Sequence, residues 1–177
     1  GNIYNFCVQY PTGAVKCSGS NTYGQLGNGN TTDTSVPLLI PIASPKSLVI
    51  GSNNNICGIM KDGSLSCLGG NNNSQLGPTV SNMTTPTTIT AYPSVAQAQI
   101  SQQTSCSINA SGVVSCIGGR QYGENGDPAV STATTTPVVI AKFPAAKQIA
   151  LQSSDACAIL SDNNVYCGGA PSFNEFA

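Results

Sequence analysis

The stretch Cys57-Gly-Ile-Met-Lys-Asp-Gly-Ser-Leu-Ser-Cys67 has the pattern of a β-hairpin with a three-residue turn. Folding it about its centre sets the two cysteines opposite each other and Ile59 opposite Leu65, and leaves residues 61–63 as the turn. The last position of such a turn requires a positive φ, which glycine adopts easily. The stretch therefore predicts a hairpin whose two strands carry facing cysteines.

This C-x9-C spacing occurs four times and recurs about every fifty residues, which is typical of an array of similar structural units. The pairs are Cys7/Cys17, Cys57/Cys67, Cys106/Cys116 and Cys157/Cys167, and the equivalent turn positions are Gly13, Gly63, Gly112 and Asn163. Facing residues of an antiparallel pair lie within reach of a disulfide. We therefore expect four disulfides within hairpins, and with them an oxidising compartment.

Three alternatives to this pairing stay open. The cysteines could be reduced, or joined across repeats, or they could bind zinc. Zinc sites favour closer cysteine spacing with histidine support, and the chain contains no histidine.

The residues between the hairpins predict two further strands in each period. A Gly/Asn-rich connection leads to a proline and an apolar strand, and another strand leads back to the next hairpin. The prolines are Pro37, Pro86 and Pro137, the strands after them are 38–40, 87–89 and 138–140, and the returning strands are 47–50, 95–100 and 147–151. Four short strands per fifty residues, without helical periodicity, favour an all-β fold.

We therefore expect a β-propeller-like array of four-stranded blades, with three full repeats and a fourth hairpin. The array forms one repeat domain over residues 1–177. Its approximate repeats are 1–50, 51–99, 100–150 and the partial 151–177.

The connection after Cys17 carries a more specific pattern. The stretch Cys17-Ser-Gly-Ser-Asn-Thr-Tyr-Gly-Gln-Leu-Gly-Asn-Gly29 resembles the repeat of the regulator of chromosome condensation family, Cys-Trp-Gly-x-Asn-x-x-Gly-Gln-Leu-Gly-x-Gly. The second copy keeps Asn71 and the residues Gln-Leu-Gly at 75–77. The resemblance implies a propeller, of the disulfide-containing variant found in secreted members, and family propellers usually close with about seven blades. The chain lacks tryptophan, which excludes a tryptophan-based ultraviolet receptor.

Composition excludes several classes of function. Only six basic and seven acidic residues are present, so a basic groove for nucleic acid is absent, and no apolar run is long enough to span a bilayer. Asp62 and Asp162 fall in hairpin turns, and the close pair Glu124 and Asp127 fits a solvated turn better than a catalytic or calcium site. We predict no enzyme activity, no cofactor and no metal.

An open array leaves strand edges at both ends, and exposed edges recruit partners. We predict an extracellular structural protein that self-associates through its open ends into a fibre or ring. The alternatives are a secreted binding module or inhibitor with a protein partner, and a fragment of a larger seven-bladed propeller. If the protein is secreted, Gly1 is expected to be a mature end left after removal of a signal peptide.

Two sets of surface residues are candidates for modification and assembly. Asn30, Asn72 and Asn82 lie in N-x-[ST] sequons within predicted loops, whereas the sequon at Asn109 adjoins a tight turn. The sequons are no more frequent than composition predicts. The prediction of glycosylation therefore rests on their positions in loops. Phe173 and Phe176, in the tail after the last hairpin, are candidates for adding to a neighbouring copy by strand augmentation.

Overall fold

The computed structural model describes residues 4–52, 54–78, 81–119, 134–152 and 155–169, and within these ranges every regular element is a β-strand. The strands are β1 (Asn5–Gln9), β2 (Val15–Gly19), β3 (Thr34–Leu39), β4 (Ser47–Ile50), β5 (Asn55–Ile59), β6 (Leu65–Gly69), β7 (Met83–Ile89), β8 (Val95–Ile100), β9 (Thr104–Asn109), β10 (Val114–Gly118), β11 (Thr134–Val139), β12 (Ala146–Gln152), β13 (Asp155–Leu160) and β14 (Val165–Gly169).

The strands form four antiparallel sheets, and in each sheet the strands follow one another in chain order. Sheet 1 contains β1–β3, sheet 2 contains β4–β7, sheet 3 contains β8–β11 and sheet 4 contains β12–β14. The strand before each of the last three hairpins pairs with that hairpin, so these sheets begin at residues 47, 95 and 146. The prediction of an all-β, propeller-like array is confirmed, and among the described strands sheets 2 and 3 have four strands while sheets 1 and 4 have three.

The hairpins have the predicted register. Cys57 pairs with Cys67, and Ile59 pairs with Leu65. Hydrogen bonds from the Met60 N–H to the Ser64 carbonyl (2.8 Å) and from the Gly63 N–H to the Met60 carbonyl (3.0 Å) close the turn. The four residues at the last turn position all have positive φ: Gly13 (86°), Gly63 (82°), Gly112 (79°) and Asn163 (68°).

Each cysteine pair is joined by a disulfide across its own hairpin. The bonds are Cys7–Cys17, Cys57–Cys67, Cys106–Cys116 and Cys157–Cys167, and no cysteine is free. The disulfides therefore connect β1 to β2, β5 to β6, β9 to β10 and β13 to β14. Each one braces a single sheet, and no disulfide joins one sheet to another.

The outermost strands begin earlier than the sequence predicted. Pro37, Pro86 and Pro137 were expected to precede the strands, but they lie inside β3, β7 and β11. The prediction was wrong because each of these is the edge strand of its sheet, where the missing N–H of a proline breaks no ladder bond. A shift in register on the neighbouring strand, between Cys67 and Gly69 in sheet 2, accompanies the proline.

The hydrophobic core lies between the sheets. We call the face of a sheet that points to the next sheet along the chain its forward face, and the opposite face its rear face. Between sheets 1 and 2, Val15 and Cys17 of the forward face pack against Ile56 and Leu68 of the rear face. Equivalent clusters fill the spaces between sheets 2 and 3 and between sheets 3 and 4. Each interior sheet is thus buried on both faces.

Candidate functional site

The residues that carry the family resemblance build loops. Asn71 is buried, and its Oδ1 accepts a hydrogen bond from the Leu76 N–H at 2.7 Å. Gln75 is also buried, and it accepts from the Asn73 N–H at 2.9 Å and donates to the Gly70 carbonyl at 3.1 Å. These bonds satisfy buried and half-buried backbone groups of the loop, so the two side chains have a structural role.

The same arrangement recurs in the first copy of the motif. Asn21 Oδ1 accepts from the Leu26 N–H at 2.9 Å, and Gln25 Oε1 accepts from the Tyr23 N–H at 3.0 Å. Leu26 then inserts into the core between sheets 1 and 2. The motif therefore locks the connection onto its sheet and supplies one core side chain to the space between sheets.

The acidic residues of the turns are engaged locally. Asp62 Oδ1 accepts hydrogen bonds from the Ser64 N–H (2.9 Å) and from its hydroxyl (2.7 Å), and these bonds lower the pKa of the Asp62 carboxyl. Asp162 accepts from the Asn164 N–H in the same way at 3.0 Å. Glu124 and Asp127 lie outside the described residues. Among the described residues, Cys, Asp and Glu side chains form no group that could hold a metal ion.

The rear face of sheet 1 exposes apolar side chains whose counterparts in later sheets are buried. Phe6 is 63% exposed, whereas Ile56, at the same position of sheet 2, is completely buried. Val8 beside it is 38% exposed. Lys16 pairs with Val8, and its ammonium lies 5.9 Å from the centroid of the Tyr10 ring. This face is an uncovered copy of an interior packing surface.

The forward face of sheet 4 shows the same property at the other end. Val165 is 63% exposed, whereas Leu65, at the same position of sheet 2, is completely buried. Ile159 is 36% exposed, against 2% for Ile59. Cys167 is exposed as well. We call the rear face of sheet 1 and the forward face of sheet 4 the end faces. They are the two kinds of surface that pack against each other wherever two consecutive sheets meet.

These two faces were missed at the level of sequence. We predicted that the open ends associate, but assigned the contact to Phe173 and Phe176, which lie outside the described residues. The signal was available, because Phe6 and Val165 occupy the repeat positions of Ile56 and Leu65 in the first and last hairpins. An apolar residue at an interior position of a terminal repeat marks an uncovered surface.

The three candidate glycosylation sites are all exposed. Asn72 follows buried Asn71 in the loop after β6, and Asn82 immediately precedes β7. Asn30 uses its Oδ1 to accept from the Thr32 N–H at 2.9 Å and from the Asn21 Nδ2 at 3.2 Å. A glycan would attach to Nδ2, so these bonds do not block the attachment.

A groove of about 470 Å³ lies between the hairpin turns of sheets 1 and 2. Tyr10, Pro11, Ser44, Pro45 and Lys61 contribute to its lining. Gln9 closes one side by donating from Nε2 to the Pro45 carbonyl at 2.6 Å. An exposed tyrosine between prolines and a lysine offers an apolar ring and a cationic donor to a ligand on this face.

Consecutive antiparallel sheets that pack face to face along the chain are the blades of a β-propeller. Residues 13–56 match the Regulator of chromosome condensation (RCC1) repeat. The chain therefore contains an RCC1-type repeat over these residues, within a propeller-like array whose hairpins carry disulfides. No curated protein sequence matches it significantly.

Solved structures agree on the fold. Prp20p from Saccharomyces cerevisiae, described with its binding to Gsp1p and histones, matches with a TM-score of 0.81 and 19% identity over 94% of this chain and 43% of its own. Human WBSCR16 matches with 0.78 and 18% over 96% and 46%. The CRINKLY WD40 ectodomain of the Arabidopsis thaliana receptor kinase ACR4 matches with 0.56 and 16% over 96% and 49%. The chain spans less than half the length of each.

Within the described residues, no helix has the length and apolar character that a membrane span requires.

Proposed function

We propose that this chain is an extracellular structural module that self-associates head to tail, with the forward face of sheet 4 in one copy packed on the rear face of sheet 1 in the next. The observation that carries the proposal is the exposure of Phe6 and Val165 at positions that are completely buried in sheet 2. A face of this kind gains about 25 cal/mol for each Å² of apolar surface that it removes from water.

The packing between the sheets of one chain supports a second copy of the chain as the partner that covers the exposed faces of sheets 1 and 4. In each of them a rear face packs on a forward face, with Ile56 and Leu68 against Val15 and Cys17 as one example. A further copy would extend this arrangement with the same two kinds of surface. Contact between unlike faces is heterologous, so it produces a ring if the rotation closes and a fibre if it does not.

The outer edges of the sheets are poorly suited to adding a strand, so association is expected to use the faces of the sheets. The edge strands β3, β7 and β11 each contain a proline, which cannot donate a backbone hydrogen bond to an added strand. The outer edges of sheets 1 to 3 are therefore poor templates for strand addition. The end faces remain the surfaces that fit a partner made of the same blades.

Two features support an extracellular location. Four disulfides persist in an oxidising compartment and are rare in the cytosol. A similar fold occurs in the ectodomain of a plant receptor kinase. The exposed sequons at Asn30, Asn72 and Asn82 would then be open to glycosylation.

Association is tested by sedimentation velocity of the 177-residue chain over a range of concentrations. We expect oligomers of the wild type, and at least about tenfold weaker association for Phe6→Ser and for Val165→Ser, because each removes one large apolar contact. Val139→Ser is the matched control, since Val139 is 60% exposed but lies on the outer strand β11. It should associate like the wild type.

Mixing the two variants gives the sharper result. Phe6→Ser keeps an intact forward face and Val165→Ser an intact rear face, so the mixture should stop at a one-to-one dimer. A dimer formed by either variant alone as tightly as the wild type associates would contradict head-to-tail packing. Wild-type protein that stays monomeric at high concentration would contradict self-association. Removing residues 171–177, with Phe173 and Phe176, tests separately whether the tail contributes.

The glycan proposal has its own measurement. Protein secreted from eukaryotic cells should exceed the bare 17.9 kDa chain in intact mass and lose the excess on enzymatic removal of N-linked glycans. Asn72→Gln and Asn82→Gln should each lower the intact mass by one N-linked glycan, because both asparagine side chains are exposed. A mass equal to that of the bare chain would exclude glycosylation at these sites.

A secreted binding module is the second candidate, and the groove with Tyr10 and Lys61 favours it. Prp20p is a propeller with protein partners, which shows that the fold can serve this purpose. Further blades of a longer propeller would cover the same two end faces. A chain that is folded but monomeric would therefore support one of these alternatives over self-association.

A further inference from the structure

We infer that the end of the sheets that carries the hairpin turns binds a polyuronate, a polysaccharide with one carboxylate on each sugar. Every lysine of the chain lies at this end of the sheets, and every one is exposed: Lys16, Lys46, Lys61, Lys142 and Lys147. Lys46 and Lys61 lie where sheet 1 meets sheet 2, so their exposure does not depend on what covers the end faces. The inference is therefore independent of the proposed self-association.

The clustering of the lysines follows from the topology. The strands of each sheet are antiparallel and follow chain order, so the hairpin turns and the links between sheets fall at one end of the strands, which we call the turn face. The loops after β2, β4, β6 and β8 fall at the opposite end, the loop face. Backbone hydrogen bonds hold the turn face together, because the Val95 N–H donates to the Gly63 carbonyl at 2.7 Å and the Ala146 N–H donates to the Gly112 carbonyl at 2.9 Å.

Charge is divided unequally between the two faces. Among the described residues, the turn face carries the five lysines against two carboxylates, those of Asp62 and Asp162, whereas the loop face carries Asp33 and Asp155 without a basic residue. The Asp62 and Asp162 carboxylates each accept hydrogen bonds within their own hairpin turns. The excess of positive charge on the turn face therefore attracts an anionic partner to this side of the molecule.

The groove between the hairpin turns of sheets 1 and 2 is the centre of the proposed site. The groups that line it include the Lys61 ammonium, the hydroxyls of Thr12 and Ser44 and the Tyr10 ring. No acidic side chain contributes to its described lining. Lys46 adjoins the lining, and its N–H donates to the Ile59 carbonyl at 2.7 Å, which fixes its backbone beside the hairpin turn of sheet 2. The groove thus combines cations, hydroxyls and a ring.

This combination fits a chain of sugar acids. Lysine ammonium groups donate charge-assisted hydrogen bonds to carboxylates, hydroxyls exchange hydrogen bonds with sugar hydroxyls, and the apolar face of a tyrosine ring packs on the C–H groups of a sugar ring. Single lysines at separate places match one carboxylate per sugar, whereas nucleic acids and highly sulfated chains select dense basic patches. An acidic peptide would instead need deep apolar pockets for its anchor residues or a free strand edge.

The repeat extends the site across the turn face. Lys147 occupies in sheet 4 the repeat position that Lys46 occupies in sheet 2, just after a residue with positive φ in both cases, Ala145 and Ser44. The Lys147 ammonium donates to Asn163 Oδ1 at 3.0 Å, which holds it over the hairpin turn of sheet 4. A polymer seated in the groove would therefore meet a second group of cations further along the same face.

The test measures binding of a defined oligogalacturonate to dilute wild-type protein by isothermal titration calorimetry at low salt. We expect binding that Lys46→Gln/Lys61→Gln weakens about fivefold, because each exposed ion pair contributes less than a factor of ten in affinity. The matched control is Ser52→Asp/Ser81→Asp, which lowers the net charge by the same amount at two exposed positions of the loop face. It should bind like the wild type, and both variants should keep the circular dichroism of the wild type.

Salt and the choice of polymer distinguish this inference from its alternatives. Binding should weaken at least about fivefold in 1 M NaCl, where charges are screened beyond about 3 Å. Neutral dextran should not bind. Equal weakening by the two double variants would show that net charge alone decides, and would overturn the site. Tighter binding of polyglutamate or of a heparin fragment than of oligogalacturonate would assign the turn face to acidic peptides or to sulfated chains instead, and no binding of oligogalacturonate would reject the inference.

Discussion

Gly69→Ala is expected to destabilise the protein by at least about 3 kcal/mol, or to prevent folding of sheet 2. Gly69 has a φ of +100°, and a Cβ on it would lie 1.9 Å from the carbonyl oxygen of Asn54. That oxygen belongs to the backbone just before β5, so it cannot move without distorting the strand. Urea unfolding followed by circular dichroism measures the change.

Gly77→Ala separates the two causes. Gly77 has nearly the same φ, +108°, but among the described residues other than its two chain neighbours no heavy atom lies within 4 Å of the position of its Cβ. Only the backbone conformation is penalised there, so the loss should be about 1–2 kcal/mol. A loss equal to that of Gly69→Ala would show that the close approach of the Asn54 carbonyl is unimportant.

Leu65→Ala is expected to cost about 3 kcal/mol, because Leu65 is completely buried between sheets 2 and 3 and the truncation leaves a cavity. Val165→Ala, at the same position of sheet 4, should cost less than about 0.5 kcal/mol in dilute protein, because its side chain is exposed. Thermal or urea unfolding of both variants at low concentration gives the comparison.

The pair also reports on association. If copies pack head to tail, Val165→Ala should become destabilising at concentrations where the wild type associates, while the cost of Leu65→Ala stays unchanged. Similar costs for both truncations in dilute protein would mean that sheet 4 is already covered in the single chain. That result would contradict the proposed end face.

The hairpins were predictable because their determinants are local. The C-x9-C spacing and a glycine or asparagine at the turn position fix both the register and the facing of Cys57 and Cys67. The resemblance around Asn71 and Gln75 likewise located the loops. The strand order within each sheet then followed from the pairing of strands that are consecutive in the chain.

Features that depend on the environment of a strand were not predictable in the same way. Pro86 lies inside a strand because β7 is at the edge of its sheet, and edge position is a property of the assembled sheet. The exposure of Phe6 depends on whether another sheet packs on the rear face of sheet 1, and local sequence does not specify that. Nor did the spacing distinguish Cys167 from Cys67, since burial by the neighbouring sheet is what separates them.

The pairing of each strand only with neighbours in sequence has a consequence for how such a chain can change over evolution. Among the described strands, none crosses from one sheet into another, and the core clusters join each sheet to the sheets before and after it. Duplication or loss of one fifty-residue unit therefore requires no rethreading of the rest. A gene segment that encodes one such unit can therefore be gained by itself. Selection then acts on the faces of the two outermost sheets, which must pack against the added unit.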